Sequence, residues 1–191
     1  SSNVLNPMTL IAAAACAGTQ GEAETFALGQ AEIDLAASLE ERIDVEMAVA
    51  YDPDAESFGL GALVVDFRLF GDPGTHFHEA SWTDHAGVVI GRMDVPFGID
   101  WLFYPSLDRK LITGPMAVAG THDGWNDLGA AAYAENGWGN AIAYALNGSG
   151  YARPDQPEDT IGSAADNAFG GRVGFARLDG VELGASAASV V

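Results

Sequence analysis

The sequence has one cysteine, Cys16, among its 191 residues, and only one of its eight basic residues is a lysine, Lys110. A single cysteine cannot form a disulfide within the chain. No apolar run reaches the roughly 18 residues that a membrane-spanning helix requires. The 27 acidic residues leave a formal net charge of −19. A surface so negative disfavours nucleic acid, because phosphate binding needs basic patches.

The length fits one domain with a core of its own, and 24 glycines with many alanines suit close-packed strands and tight turns. The acidity itself has three interpretations, between which the charge alone does not choose. It can form a solvating shell suited to high salt, lie in acidic extracellular loops, or line a channel that favours cations.

The longest apolar run, Met8 to Ala17, is about ten residues long and rich in alanine. It resembles the apolar core of an export signal; a short helix or strand and a lipid anchor at Cys16 are the alternatives. We therefore divide the chain into an N-terminal segment, 1–21, which is either signal-like or a short ordered arm, and one domain, 22–191.

Residues 30–51 carry the clearest structural pattern. Apolar side chains alternate with polar or small ones on both sides of a predicted turn at Glu40-Glu41, a period typical of strands with one apolar face. One long helix is the alternative, since apolar residues also recur at every fourth position over 31–47. On a helix, however, Ile33 and Val49 would point into the acidic side. Two strands are therefore predicted.

Alternation continues along the rest of the chain, and about ten short strands separated by turn residues predict a sandwich or a barrel. Two connections, 96–115 and 151–167, are long, and in membrane barrels the long connections lie on one side. The further predicted strands are 63–69, 77–83, 88–94, 116–121, 127–134, 138–146, 172–178 and 181–187.

The stretch Glu79-Ala80-Ser81-Trp82, followed by Val89 to Gly98 with its Gly-Arg-Met-Asp-Val-Pro-Phe-Gly ending, resembles a segment of Gram-negative outer-membrane porins of the phosphate-selective and siderophore-porin types. The resemblance continues, in the same order, over most of residues 26–189. The matching segments that follow are Asp127-Leu128-Gly129, Tyr144 to Gly148, Gly171 to Gly174 and Leu183 to Ser186.

The resemblance implies an antiparallel transmembrane β-barrel in the cell outer membrane, through which small solutes or ions diffuse passively. Its partners would be those solutes and outer-membrane lipid, and a homo-oligomer is compatible with it. Such porins are usually longer and end in an aromatic residue, so the chain is expected to cover the N-terminal part of an incomplete barrel. The alternative is a soluble, secreted, acidic β-sandwich that acts as a binding or self-assembling structural protein.

Charged residues on the predicted strands are the candidates for a water-filled lumen, because a charge facing lipid at the bilayer midplane costs about 2–4 kcal/mol in the basic cases. For Arg92 a surface or inter-strand ion pair is the alternative. The lumen-lining candidates are Glu32, Asp34, Asp44, Glu46, Asp66, Arg68 and Arg92.

Other chemistry finds little support in the sequence. His76 and His78 share one face of a predicted strand and are the candidates for metal ligands, but a polar loop explains them equally well, and no metal is predicted. No nucleophile elbow, P-loop or dinucleotide fingerprint occurs, so neither an enzyme nor a cofactor is expected. Trp125 and Trp138 are assigned either to an interfacial aromatic girdle or to ordinary packing.

Overall fold

The computed structural model describes residues 9–19, 26–52, 56–71, 84–98, 125–148, 167–178 and 181–190. Every regular element in these ranges is a β-strand, which confirms the all-β prediction. No helix in the described part of the chain is long and apolar enough to cross a membrane. The strands are β1 (Thr9–Thr19), β2 (Phe26–Glu40), β3 (Ile43–Asp52), β4 (Ser57–Phe70), β5 (His85–Asp94), β6 (Asn126–Asn136), β7 (Gly139–Leu146), β8 (Ala168–Leu178) and β9 (Val181–Val190).

All nine strands belong to one antiparallel sheet in which each strand pairs with the next along the chain. Within the described residues, β1 pairs only with β2 and β9 only with β8. The sheet is therefore open, and it is not closed into the barrel that the sequence predicts. The coarser expectation of an antiparallel all-β fold holds, and each strand lies beside the next one in the chain.

The helix considered for residues 30–51 is not formed. Instead β2 and β3 pair across a turn at Glu41 and Arg42, one residue later than predicted, with Leu35 opposite Met47. The alanine-rich run near Cys16 is β1, so the strand alternative describes it, and β1 extends the same sheet. The strands predicted at 77–83 and 116–121 lie outside the described residues.

The two long connections predicted from the sequence leave the sheet at the same end. They join β5 to β6 and β7 to β8, and β1 and β3 also end there. At the opposite end lie the two-residue turns 41–42 and 137–138, and β4 and β8 end there as well. We call these the long-connection end and the short-turn end.

The strand register gives the sheet two unlike faces. Most buried residues lie on one face, the inner face, and most exposed apolar residues lie on the other, the outer face; in β7 the two alternate residue by residue. Two tyrosines of the inner face lie over glycines of a neighbouring strand: Tyr133 over Gly87 and Tyr144 over Gly170, where any Cβ would collide with the ring. These glycines let bulky rings lie close to the backbone of the sheet.

Candidate functional site

Polar and charged side chains occupy the buried inner face. This reverses the usual distribution, in which charged residues are almost never fully buried unless they are paired. Seven polar or charged side chains are buried in the described part of the chain, and the strand register places all of them on this face, from β3 to β8. They are Asp44, Asp66, Arg68, His85, Asp127, Asn140 and Arg172.

Five of the predicted lumen-lining carboxylates come together on β2, β3 and β4. Asp44 lies directly opposite Asp66 across the β3–β4 ladder, and both are buried. The register places Glu32, Asp34 and Glu46 on the same face, where they are half-buried. We call these five residues the acidic wall.

Arg68 offsets part of the repulsion within the acidic wall. Its Nη2 lies 2.5 Å from Oδ2 of Asp44, and both side chains are almost completely buried. The same Nη2 also donates to the backbone carbonyl of Glu41 at 3.3 Å. Two carboxylates placed directly opposite each other on neighbouring strands destabilise a sheet, and the guanidinium paired with Asp44 offsets part of that repulsion.

Asp66 is held from the other side by Tyr133. The Tyr133 hydroxyl donates to the Asp66 carboxylate, with both oxygens at 2.9 Å. It reaches β4 from β6 by crossing β5 at Gly87, and the His85 ring packs edge-on against it at 5.7 Å between centroids. No sequence pattern pointed to the contact between Tyr133 and Asp66, because only the strand register brings these two residues together.

Arg172 organises the opposite part of the inner face. Its Nε donates to the Gly98 carbonyl at 2.9 Å, and its Nη1 donates to Asn140 Oδ1 at 2.5 Å. The backbone N–H of Gly98 donates in turn to Ser186 Oγ at 3.0 Å. The segment Val95–Gly98, which directly follows β5, is therefore bound to β8 and β9 across the inner face.

An apolar cluster accompanies this segment near the long-connection end. Val95 and Pro96 are buried, and the Val95 N–H donates to the Trp125 carbonyl at 2.9 Å. The Trp125 ring contacts Phe97 at 6.1 Å and Tyr144 at 6.3 Å between centroids. Trp125 thus packs inside, which fits the packing alternative and not the girdle, whereas Trp138 is exposed in the β6–β7 turn.

Large apolar side chains cover the outer face. Among the described residues, fifteen large hydrophobic side chains are exposed; fourteen of them lie on strands and point outward, and Trp138 is the fifteenth. A contiguous apolar surface of this extent marks a site of contact with a partner or a membrane. They are Ile33, Leu39, Phe58, Leu60, Leu63, Phe67, Leu69, Phe70, Ile90, Leu128, Phe169, Val173, Phe175 and Leu183.

Arg92 lies on the outer face, apart from the other candidates. It is opposite Leu63 on one side and Leu128 on the other, and it is exposed. Its Nε donates to Asn126 Oδ1 at 2.6 Å, and Asn126 Nδ2 donates to Asp94 Oδ1 at 2.9 Å. The expected grouping of Arg92 with Arg68 is corrected by the register, because the inward residues of β5 are the odd-numbered ones.

His76 and His78 lie outside the described residues. Within the described ranges no group of three histidine, cysteine or acidic side chains is arranged to hold a metal ion. The assignment of Glu32, Asp34, Asp44, Glu46, Asp66 and Arg68 to a lumen stays a prediction, although all six share the inner face.

Comparison of the chain with protein-family models, with curated proteins and with solved structures gives no match. The function of the chain must therefore be inferred from the two faces of its sheet and from the contacts on each face.

Proposed function

We propose that the chain forms part of an outer-membrane β-barrel that acts as a passive channel for small solutes or ions. One observation carries the proposal: buried polar and charged side chains lie on the inner face of the sheet, and large exposed apolar side chains lie on its outer face. A membrane barrel has this distribution, since lipid surrounds its outside and water fills its inside.

The height of the apolar surface supports a membrane as the partner. The outward residues of β4 run from Phe58 to Phe70, a span of roughly 40 Å at about 3.3 Å per residue. With a strand tilt of about 45°, that span rises roughly 28 Å, close to the height of about 25 Å of the apolar band of outer-membrane barrels. A soluble partner has no reason to match this dimension.

In the proposal, the inner face lines the channel, and the edges of β1 and β9 are paired either with each other or with further strands. Closure would satisfy the backbone groups at both edges, which lipid cannot do. The acidic wall supplies the negative charge of the lumen. Arg92 is opposite Leu63 on the outer face, so it would lie within the height of the apolar band, where its hydrogen bond to Asn126 reduces the cost of burying its polar group.

A soluble acidic β-sandwich is the alternative, and it would need a second sheet to cover the outer face. All nine described strands belong to one sheet, and that sheet turns its charged side inward. Nothing in the described part of the chain favours the sandwich.

Two measurements on the full-length protein test the proposal. A membrane channel should require detergent or lipid to stay in solution, and it should give stepwise ion conductance when added to planar bilayers. A protein that is monodisperse without detergent, and electrically silent although folded, would exclude the channel and favour the sandwich.

A further inference from the structure

The segment Val95–Gly98 is bound to distant strands through side chains that lie deep in the inner face. Arg172 is 2% exposed, and it holds the Gly98 carbonyl, 74 positions away in the chain. Ser186 on β9 accepts the N–H of the same glycine, 88 positions away. Both backbone groups of Gly98 are thereby satisfied by side chains of the opposite strands.

The forked guanidinium of Arg172 suits it to hold two acceptors on different elements at once. Arg172 donates in two directions at once, from Nε to the segment and from Nη1 to Asn140 on β7. A lysine carries the same charge, but it is a point donor and lacks the rigid fork that fixes two acceptors together. The contact therefore depends on the shape of the arginine and not only on its charge.

We propose that Arg172 and Ser186 are positioning residues that brace Val95–Gly98 across the inner face, and that this brace sets the largest solute that the channel admits. The inference rests on the proposed channel. The bulk of the segment supports it, because Pro96 is fully buried and Val95 nearly so. If the bonds to Arg172 and Ser186 were lost, Val95 and Pro96 would no longer occupy a fixed part of the lumen. The width of the lumen decides which solutes pass.

The test compares four variants of the full-length protein in planar bilayers, with polyethylene glycols of graded size to measure the exclusion limit. Arg172→Lys keeps the charge and loses the fork, and Ser186→Ala removes the acceptor for Gly98. Arg92→Lys makes the same arginine-to-lysine change on the outer face, and Ser38→Ala makes the serine change on the inner face of β2. Heat-modifiable migration on gels checks that each variant is folded.

Arg172→Lys and Ser186→Ala should both raise the conductance and admit larger polymers, with little change in reversal potential. Arg92→Lys and Ser38→Ala should keep both the exclusion limit and the reversal potential. An unchanged limit in Ser186→Ala, or an equal shift of the limit in Arg92→Lys, would overturn the brace; if Arg172→Lys does not fold, Ser186→Ala decides alone. A folded wild-type protein without conductance would instead overturn the channel itself.

Discussion

Several residues of the inner face are both charged and deeply buried, and their bonding partners determine how much free energy that burial costs. Asp44 and Arg68 are 3% and 4% exposed and form an ion pair, while Asp66 accepts the hydroxyl of Tyr133. Removing one member of such a pair leaves the other charge buried without compensation, which costs more than the intact pair contributes. These residues should therefore affect stability before they affect transport.

Asp44→Ala is expected to lower the free energy of unfolding by about 3–5 kcal/mol, because Arg68 stays buried without its carboxylate. The double variant Asp44→Ala with Arg68→Met should lose much less. Urea unfolding in lipid vesicles, followed by tryptophan fluorescence, measures both. Asp94→Ala, in the exposed cluster of the outer face, is the control and should have a small effect. Equal losses in the single and double variants would show that the pair is not coupled.

Gly87→Ala tests the crossing of Tyr133 over β5. A Cβ at Gly87 would collide with the Tyr133 ring and hydroxyl, so the ring must move away from Asp66, at about 1–3 kcal/mol for overpacking. Gly59→Ala is the matched control, since nothing lies within 4 Å of a Cβ built there. The two unfolding curves measured side by side should separate, and coincident curves would rule out the close approach.

The sequence predicts a strand and its two faces where apolar and polar residues alternate along that strand. β2 and β3 alternate acidic and apolar residues, so period two identified both the strands and their faces. β5 departs from this pattern, because its charged residues Arg92 and Asp94 lie on the outer face while the inward Val89 and Met93 are apolar. The pairing of Arg92 with Leu63 fixes this orientation, and it places Arg92 on the face opposite to Arg68, closer to the surface alternative. The bond between Gly98 and Arg172 joins distant residues and leaves no local pattern.

Opposite faces of one strand should react differently when single cysteines replace neighbouring residues. In a protein whose Cys16 is replaced by serine, Glu46→Cys on the inner face should react with a water-soluble maleimide. Met47→Cys on the outer face should react only with a lipid-soluble one, because lipid would cover it. Asn147→Cys, exposed beyond β7, serves as the positive control. Equal reaction of positions 46 and 47 with the water-soluble reagent would contradict a lipid-facing outer surface.

The molecule as a whole has two unlike ends, and these predict its orientation in the membrane. Membrane barrels carry short turns on the periplasmic side and longer loops outside the cell. The connections 95–125 and 147–167 should therefore face the exterior. With Cys16 replaced, Asn147→Cys should react in intact cells with a maleimide coupled to a protein too large for any pore. Trp138→Cys, in a two-residue turn, should react only after the outer membrane is opened, and the reverse result would invert the orientation.

Charge is also unevenly distributed over the molecule, and this predicts the kind of ion that passes. The acidic wall concentrates five carboxylates on β2, β3 and β4 against one buried arginine there, Arg68. Asp44 and Asp66 are buried with partners, so the half-buried Glu32, Asp34 and Glu46 should act most strongly on ions in water. Their field should enrich cations, and the preference should fade with rising salt, because screening acts over about 10 Å at 0.1 M.

Reversal potentials under a salt gradient measure this preference in planar bilayers. The wild-type protein should favour cations, and the double variant Glu32→Gln with Glu46→Gln should favour them less, because two carboxylates of the wall are neutralised without a change of shape. Asp94→Asn removes a carboxylate from the outer face and should leave the reversal potential unchanged, since it would lie outside the lumen. If the control shifts the potential as much as the double variant does, ion preference reflects the total charge of the molecule and the acidic wall has no special part in it.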